Sequence, residues 1–174
     1  GLNENYAREL MELHTLGVQG GYTQYDVREL ARIFTGWTIS PRSDSGFQFV
    51  MRLHESGNKS LMGQSIPSSA ASIGMTEGEQ AIRFLANHPA TAQRVSRRLA
   101  EYFVADSPPQ DLIDLMAKTF LASGGDIYQV MKVMLNHAAF WDPENKLYRT
   151  PYDFACASLR VLNVPQDRFK WLQA

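Results

Sequence analysis

The sequence has little of several features that would place it in a specialised class of protein. Its one cysteine, Cys156, excludes an internal disulfide and a cysteine-rich metal site. No apolar run approaches the roughly 18 residues that a membrane-spanning helix needs. The formal net charge is -1, so no excess of positive charge attracts nucleic acid or an anionic membrane. We therefore expect neither a nucleic-acid partner nor a membrane span.

The common catalytic motifs are also missing from the sequence. It has no glycine-rich phosphate loop, no Gly-x-Ser-x-Gly elbow and no His-Glu-x-x-His helix. What is present is the composition of a folded globular protein, with 44% hydrophobic and 20% charged residues over 174 positions. That length is typical of one domain. We predict that residues 1–174 form a single helical domain.

Apolar residues at helical spacing predict a mainly α-helical bundle of about seven helices. Residues 3–17 place Tyr6, Leu10 and Leu13 on one stripe, which favours an amphipathic first helix. Capping residues mark later helix starts at Thr23, Thr76, Asp126 and Thr150, and Pro89 separates two helices. Residues 127–134 are apolar over so wide an arc that we expect this helix to be central, with the others packed antiparallel around it.

The stretch from about residue 38 to residue 73 has no helical period and is enriched in serine, glycine and proline. Phe47, Phe49 and Met51 alternate with other residues, as in a β-strand. Turn residues at 55–59 then precede Leu61–Ile66. The pattern predicts one small β-hairpin inserted between helices, and this hairpin must pack on the helical body because two isolated strands are marginally stable in water.

An ordered set of motifs runs through nearly the whole chain. It comprises Asn3–Gly17, Gly21–Gln24 with Asp26 and Val27, Ala31–Arg32 to Thr35–Thr38, His54 with Lys59 and Gly63, His88–Ala92, and Lys146–Pro151. This set resembles the large bacterial family of domain of unknown function 1800. The resemblance implies that the chain corresponds to the C-terminal part of a longer protein with an additional N-terminal portion. It also suggests a periplasmic or cell-envelope location, and it implies no particular reaction or cofactor.

Two groups of polar residues are candidates for a functional site. Glu9, Glu12 and His14 lie in the first helix, and His54 with Glu55 lies at the predicted hairpin turn. Glu12 and His14 point about 200° apart on a regular helix, and Glu9 and His14 are five residues apart, so these three cannot jointly chelate one ion. A metal site would need His14, one glutamate and His54 to converge. No metal is assigned.

Each of these groups also has a structural interpretation. Imidazolium at a helix C-terminus, as expected for His14 and for His137, interacts favourably with the helix dipole. His54 and Glu55 fit a polar turn, and His88 fits a weak cap for the helix that begins at Pro89.

A basic face is expected on the helix after Pro89. Its members are Arg94, Arg97 and Arg98. Such a face either binds a phosphate or carboxylate partner or forms solvated ion pairs with residues such as Glu101.

Two functional hypotheses follow. The first is a scaffold or partner-binding part of a larger exported protein, whose partner is the additional N-terminal portion or another protein. It predicts an exposed apolar patch near Leu2, the hairpin and Trp37, and Trp141 and Trp171 are further residues for covering such a neighbour. The alternative is a metal-assisted enzyme whose site, built on His14, His54 and a carboxylate, is completed by that N-terminal portion.

Overall fold

The computed structural model describes residues 2–40, 46–67 and 73–163, and Trp171 lies outside these ranges. Within them the chain forms eight helices and four short strands, which confirms the predicted mainly α fold with a small β insertion. The helices are α1 (Glu4–Glu9), α2 (Gln24–Ile33), α3 (Ile73–Ala86), α4 (Pro89–Phe103), α5 (Gln110–Ala122), α6 (Ile127–Asn136), α7 (Ala138–Trp141) and α8 (Pro151–Val161). The strands are β1 (Trp37–Ile39), β2 (Phe47–Phe49), β3 (Lys59–Leu61) and β4 (Gln64–Ile66).

The β insertion consists of two antiparallel hairpins. The predicted pairing of the strand that carries Phe47 and Phe49 with the strand at Leu61–Ile66 is therefore wrong. Strand β2 pairs with β1, with Phe49 opposite Trp37, and β3 pairs with β4, with Lys59 opposite Ile66. A 3₁₀ turn at Met51–Leu53 ends the first pair. Met62 and Gly63, with φ of 50° and 80°, form the two-residue turn of the second pair. Each strand therefore pairs with its neighbour in sequence.

The first helix buries a different face from the predicted one. Asn3 caps α1 as expected, but a π-helical turn at Leu10–His14 continues it. Ala7 and Met11 are fully buried, whereas Tyr6 and Leu13 are 51% and 55% exposed. Ala7 and Met11 are four residues apart and so form one helical stripe, but this stripe is rotated from the predicted stripe of Tyr6, Leu10 and Leu13.

The buried apolar residues form two clusters. The first joins α1, α2, the β3–β4 hairpin and α3, and consists of Ala7, Met11, Leu16, Val27, Leu30, Ala31, Ile33, Phe34, Leu61, Ile66, Ala81 and Leu85. The second joins α4 to α7, and consists of Ala92, Ala100, Val104, Ala105, Leu112, Ile113, Met116, Ala117, Phe120, Val130, Met134 and Ala139. That α1–α3 and α4–α7 belong to one domain stays a prediction.

Helix α5, not α6, is central to the second cluster. It packs against α4 on one side and α6 on the other, and five of its side chains are buried. In α6 only Val130 and Met134 are buried, while Ile127 and Leu135 are 45% and 43% exposed. The prediction that α6 is central is therefore wrong, because the wide apolar arc of α6 is covered on one side only.

The junction between α3 and α4 follows the sequence prediction. His88 precedes Pro89 and caps α4, because its Nδ1 accepts a hydrogen bond from the Ala90 N–H at 3.1 Å. Burial lowers the pKa of His88 below 6.5, which favours the neutral ring that can accept this bond. Thr91 adds a hydrogen bond from its hydroxyl to the Leu85 carbonyl oxygen at 2.6 Å.

Gly78 places α3 directly on the indole ring of Trp37. A Cβ atom added at Gly78 would lie 2.2 Å from Cζ2 of Trp37. An ordinary Gly→Ala change inside a helix stabilises a protein by about 0.5–1 kcal/mol. Here we expect Gly78→Ala to lower the free energy of unfolding by about 1–3 kcal/mol, because the methyl group overpacks the contact. Urea denaturation measures the change.

The same measurement on Trp37→Phe provides the control. The smaller ring removes the nearest atoms, so Gly78→Ala costs less in that background. A stabilising effect of Gly78→Ala in the wild-type background would contradict the close contact.

Candidate functional site

The structure separates the predicted polar residues into two environments. Glu9 and His14 are exposed in the first helix, and Glu12 is half-buried there. The side chain of His54, by contrast, is 2% exposed. Residues 2–40, 46–67 and 73–163 contain no group of three or more His, Cys, Asp or Glu side chains placed to hold a metal ion.

The π turn changes the relative positions of Glu9 and His14 from those expected on a regular α-helix. In a π-helix the hydrogen bonds join residues i and i+5, so Glu9 and His14 are related by one turn. Glu9 accepts a hydrogen bond from the Asn5 side chain at 3.0 Å.

The charge of Glu12 acts on Tyr22. The pKa of Tyr22 is raised above 10.0 first by burial and then by Glu12, while Arg8 partly opposes this rise.

His54 is held in one orientation by backbone and side-chain partners. Its Nδ1 lies 2.8 Å from the carbonyl oxygen of Thr35. A carbonyl oxygen only accepts hydrogen bonds, so Nδ1 carries the proton and donates it. On the other side of the ring, Nε2 lies 3.2 Å from Nζ of Lys59 and 3.3 Å from Oε2 of Glu77. Both ring nitrogens therefore contact protein groups, so His54 does not lie in a solvated polar turn.

Lys59 and Glu77 form a buried ion pair next to His54. Their Nζ and Oε2 atoms are 2.7 Å apart, and their side chains are 0% and 2% exposed. Lys59 also donates to the Gly57 carbonyl oxygen at 3.3 Å. Oε1 of Glu77 has no hydrogen-bond partner among the residues that the structure describes. Glu77 consequently depends on Lys59 to compensate for its burial.

Two carboxylates of α2 bind the backbone of the β3–β4 hairpin. Oε2 of Glu29 accepts a hydrogen bond from the Ser60 N–H at 3.0 Å, and Oδ1 of Asp26 accepts one from the Met62 N–H at 2.7 Å. Asp26 and Glu29 are one helical turn apart, and the two N–H groups are two residues apart on one edge of the hairpin. The separation of the two carboxylates along α2 thus matches the separation of the two N–H groups along the hairpin edge.

The second carboxylate oxygen of Asp26 caps α2. Oδ2 accepts hydrogen bonds from the backbone N–H and the hydroxyl of Thr23, both at 2.7 Å, which completes the predicted capping box of α2. Burial alone would raise the pKa of Asp26, but the hydrogen bonds from Thr23 and Met62 outweigh it and hold the pKa below 3.8. The ionised carboxylate is therefore the form that the fold requires.

Arg32 extends this network toward the surface. Its Nη1 lies 2.6 Å from Oε1 of Glu29, and its Nε lies 2.6 Å from Oε1 of Glu55. These contacts, first with Glu29 and then with Glu55, raise the pKa of Arg32 above its usual value. The Glu55 N–H also donates to the Thr35 hydroxyl at 2.8 Å. Glu55 thereby connects the loop that carries His54 to the end of α2.

The predicted basic face does not form one cluster of equivalent arginines. Arg97 donates to Gln110 at 2.7 Å, and Arg98 lies 3.4 Å from Glu101 in an exposed ion pair. The aliphatic part of Arg94 packs against Gly17, where an added Cβ would lie 2.9 Å from its Cδ. Of the three arginines, Arg98 forms a solvated ion pair, and the binding of a phosphate or carboxylate partner by this face stays a prediction.

The buried network consists of Asp26, Glu29, His54, Lys59 and Glu77. Sequence reasoning singled out only His54 as a site residue and missed the others. A signal existed for Asp26 and Glu29, because two acids three residues apart share the face of α2 that also carries the apolar stripe. Chemically, the network satisfies the hairpin edge and neutralises buried charge. The side chains of Lys59, Glu77 and His54 are almost fully enclosed, so this part of the network anchors the hairpin.

The fold and this network define a class of mainly α protein with two small hairpins, in which charged side chains attach the β3–β4 hairpin to α2 and α3. The whole chain, residues 1–174, matches the family described as "Protein of unknown function (DUF1800)", and the chain belongs to that family. The resemblance found in the sequence is thereby confirmed. No curated protein and no solved structure matches the chain. None of the helices in the described ranges has the length and apolar character needed to cross a membrane.

The Lys59–Glu77 pair provides a test of the anchoring role. Lys59→Met leaves the Glu77 carboxylate buried without its ammonium partner, and we expect the free energy of unfolding to fall by about 3–5 kcal/mol. The double variant Lys59→Met/Glu77→Gln removes the uncompensated charge and is expected to recover part of this loss. Urea denaturation measures both. The matched control is Lys118→Met on the exposed face of α5, which should change stability by less than about 0.5 kcal/mol.

The low pKa of Asp26 predicts how stability depends on pH. The unfolded carboxyl titrates near 3.8, and the folded one titrates below that value. Its contribution is therefore complete at neutral pH, begins to fade near pH 5, and is lost as the pH falls through the folded pKa. Asp26→Asn should lower stability at pH 7 by about 1–3 kcal/mol, and this difference from wild type should shrink toward pH 3.

Denaturation curves at several pH values check the prediction for Asp26. Glu79→Gln, at an exposed position on α3, serves as the control and should show no such convergence. A difference between wild type and Asp26→Asn that stays constant from pH 7 to pH 3 would contradict the assignment.

Proposed function

We propose that the chain is a partner-binding helical domain whose C-terminal end packs against another part of the same, longer polypeptide. The observation that carries the proposal is the exposure of α8. This helix is capped by Thr150 and begins with Pro151, yet none of its residues is buried. Its large apolar side chains include Tyr152, Phe154 and Val161, which are 76%, 63% and 85% exposed.

The physical argument begins with the length of α8. It has 11 residues, and isolated helices shorter than about 12–15 residues are marginally stable in water. Most helices of globular proteins gain their stability from packing an apolar face. A capped helix that is apolar and uncovered is therefore expected to pack on a partner, and exposed apolar surface of this kind marks interaction sites.

The exposed surface extends beyond α8. Trp141 and Tyr148, on the chain segment that leads into the helix, are 73% and 76% exposed. Aromatic residues are enriched at the centres of protein interfaces. Residues 141–163 contain three acidic and three basic side chains, so the segment has no net positive charge that would attract nucleic acid or an anionic membrane. These features favour a protein partner.

The location of this surface differs from the patch predicted near Leu2 and Trp37. Trp37 packs on the first apolar cluster and against Phe34, with ring centroids 5.0 Å apart. Leu2 also packs on that cluster. Ile39 is 83% exposed on β1, but its partner in register, Phe47 on β2, is half-buried. The proposal therefore moves the partner-binding surface to residues 141–162.

The additional N-terminal portion expected from the family resemblance is the proposed occupant. A scaffold in which α8 packs on that portion agrees with membership of the family. The alternative hypothesis of a metal-assisted enzyme is not supported by an observation here, because His14 is exposed and His54 contacts Lys59.

The proposal predicts a stability effect that depends on context. In the 174-residue chain, Phe154→Ser should change the free energy of unfolding by less than about 0.5 kcal/mol, because the side chain is exposed. In the complete gene product that carries this sequence, the same change should cost about 2–4 kcal/mol, because the side chain is buried in an interface. Urea denaturation of both proteins measures this. Leu112→Ala, at a fully buried position, is the control and should be destabilising in both.

The occupant is identified by a photo-crosslinking amino acid placed at position 154 of the complete gene product. We expect the crosslinked peptide, sequenced by mass spectrometry, to come from the N-terminal portion of the same polypeptide. A crosslink to a second copy or to a different protein would overturn the choice of occupant. Equal, small effects of Phe154→Ser in both proteins would overturn the partner-binding role of α8.

A further inference from the structure

A surface pocket beside α2 is separate from the α8 surface and from the buried Lys59–Glu77 pair. Its volume is about 410 Å³. It is lined by Leu2, Tyr25, Arg28, Glu29, Arg32 and Glu55. The pocket therefore combines one aliphatic side chain and one phenol ring with four charged groups, so its lining is mainly charged and suits a ligand that carries charge.

The four charged groups differ in how far their neighbours satisfy them. Glu29 uses both carboxylate oxygens, one on Arg32 and one on the Ser60 N–H. Arg32 is held by Glu29 and Glu55 at 2.6 Å each. These two residues form the fixed floor of the pocket, and their hydrogen bonds keep α2 and the loop that carries Glu55 in place.

Arg28 and Glu55 retain capacity to bind a ligand. The guanidinium of Arg28 is 63% exposed, and its contact with Glu4 is 3.6 Å long, which exceeds hydrogen-bond distance. Glu55 binds Arg32 through Oε1 and is 46% exposed, so its second oxygen remains available to an ammonium group. Arg28 and Arg32 are four residues apart and so lie on one side of α2. The pocket thus presents one positive and one negative group that can accept partners.

The charges of the lining sum to zero, two arginines against two glutamates. A simple anion or a simple cation therefore gains little from this lining as a whole, whereas a ligand with both charges can satisfy both groups. We propose that the pocket binds a zwitterionic ligand with an apolar side chain, that is, a free amino acid or the equivalent end groups of a short peptide. Arg28 binds the carboxylate, Glu55 binds the ammonium group, and Leu2 with Tyr25 contacts the apolar side chain.

The assignment of groups follows from their chemistry. A guanidinium offers paired N–H donors that match the two oxygens of a carboxylate. An ammonium group offers three donors and no acceptor, so a carboxylate oxygen such as that of Glu55 is its natural partner. Tyr25 is 61% exposed, which leaves one face of its ring for an apolar side chain.

The test uses three probes that differ by one charge each. Isothermal titration calorimetry on the 174-residue chain compares L-phenylalanine with N-acetyl-L-phenylalanine, which lacks the ammonium group, and L-phenylalaninamide, which lacks the carboxylate. We expect saturable binding of L-phenylalanine. Each analogue should bind at least roughly tenfold more weakly than L-phenylalanine, because each loses one charge-assisted contact. This comparison needs no variant of the protein.

Two variants assign the contacts to residues. Arg28→Gln should weaken L-phenylalanine binding roughly tenfold and reduce its preference over the amide. Glu55→Gln should reduce the preference over the N-acetyl analogue. Arg98→Gln is the matched control, because Arg98 is also exposed in a single ion pair but lies outside the pocket lining, and it should leave all three affinities unchanged.

Three results would overturn the proposal. The first is no saturable binding of L-phenylalanine up to about 10 mM, a concentration above the weakest affinity expected for two charge-assisted contacts. The second is equal binding of the three probes, which would indicate contact with the aromatic ring alone. The third is unchanged binding by Arg28→Gln with its melting temperature equal to that of wild type.

Discussion

The attachment of the β3–β4 hairpin to α2 is the constraint on which the N-terminal half depends. A two-stranded sheet leaves backbone N–H groups on its outer edges, and two strands alone are marginally stable. In this protein the carboxylates of Glu29 and Asp26 accept the N–H groups of Ser60 and Met62. Helix α2 thus accepts the hydrogen bonds that a third strand would accept, and it does so with charged side chains.

This arrangement accounts for the charge inside the N-terminal half. Acids of α2 bind the hairpin edge at Ser60 and Met62, and the side chain of the preceding residue, Lys59, is fully buried and contacts α3 through Glu77. A buried ammonium requires an anion, and Glu77 supplies it from the second helical turn of α3. His54 then links this pair to Thr35 at the end of α2. The β3–β4 hairpin, α3 and the end of α2 are thus joined by Lys59, Glu77 and His54. Removal of one of these side chains leaves another buried polar group without its partner.

The two ends of the molecule distribute polarity in opposite ways. Around the hairpins, charged side chains are buried and the apolar residues Leu61 and Ile66 contact the first cluster. At the C-terminal end, Trp141, Tyr152 and Phe154 are exposed on or before α8. In the first region the buried carboxylates have partners within it, namely backbone N–H groups for Asp26 and Glu29 and the Lys59 ammonium group for Glu77. The second has apolar surface without an internal contact, which is why the proposed partner-binding role is assigned there and the ligand-binding role to the polar pocket beside α2.

Sequence alone determined what depends on neighbouring residues. The capping box of Thr23 and Asp26, the cap of His88 before Pro89, and the cap of Thr150 are local hydrogen bonds within three residues, and these three formed as predicted. The predicted helix start at Thr76 is wrong, because α3 begins at Ile73. Tertiary structure decided what depends on distant residues. Oδ1 of Asp26 binds an N–H group 36 positions away, Lys59 contacts a carboxylate 18 positions away, and packing in the first cluster buries the face of the first helix that carries Ala7 and Met11. No periodicity encodes these contacts, because their energy arises only when separate elements exclude water from one another.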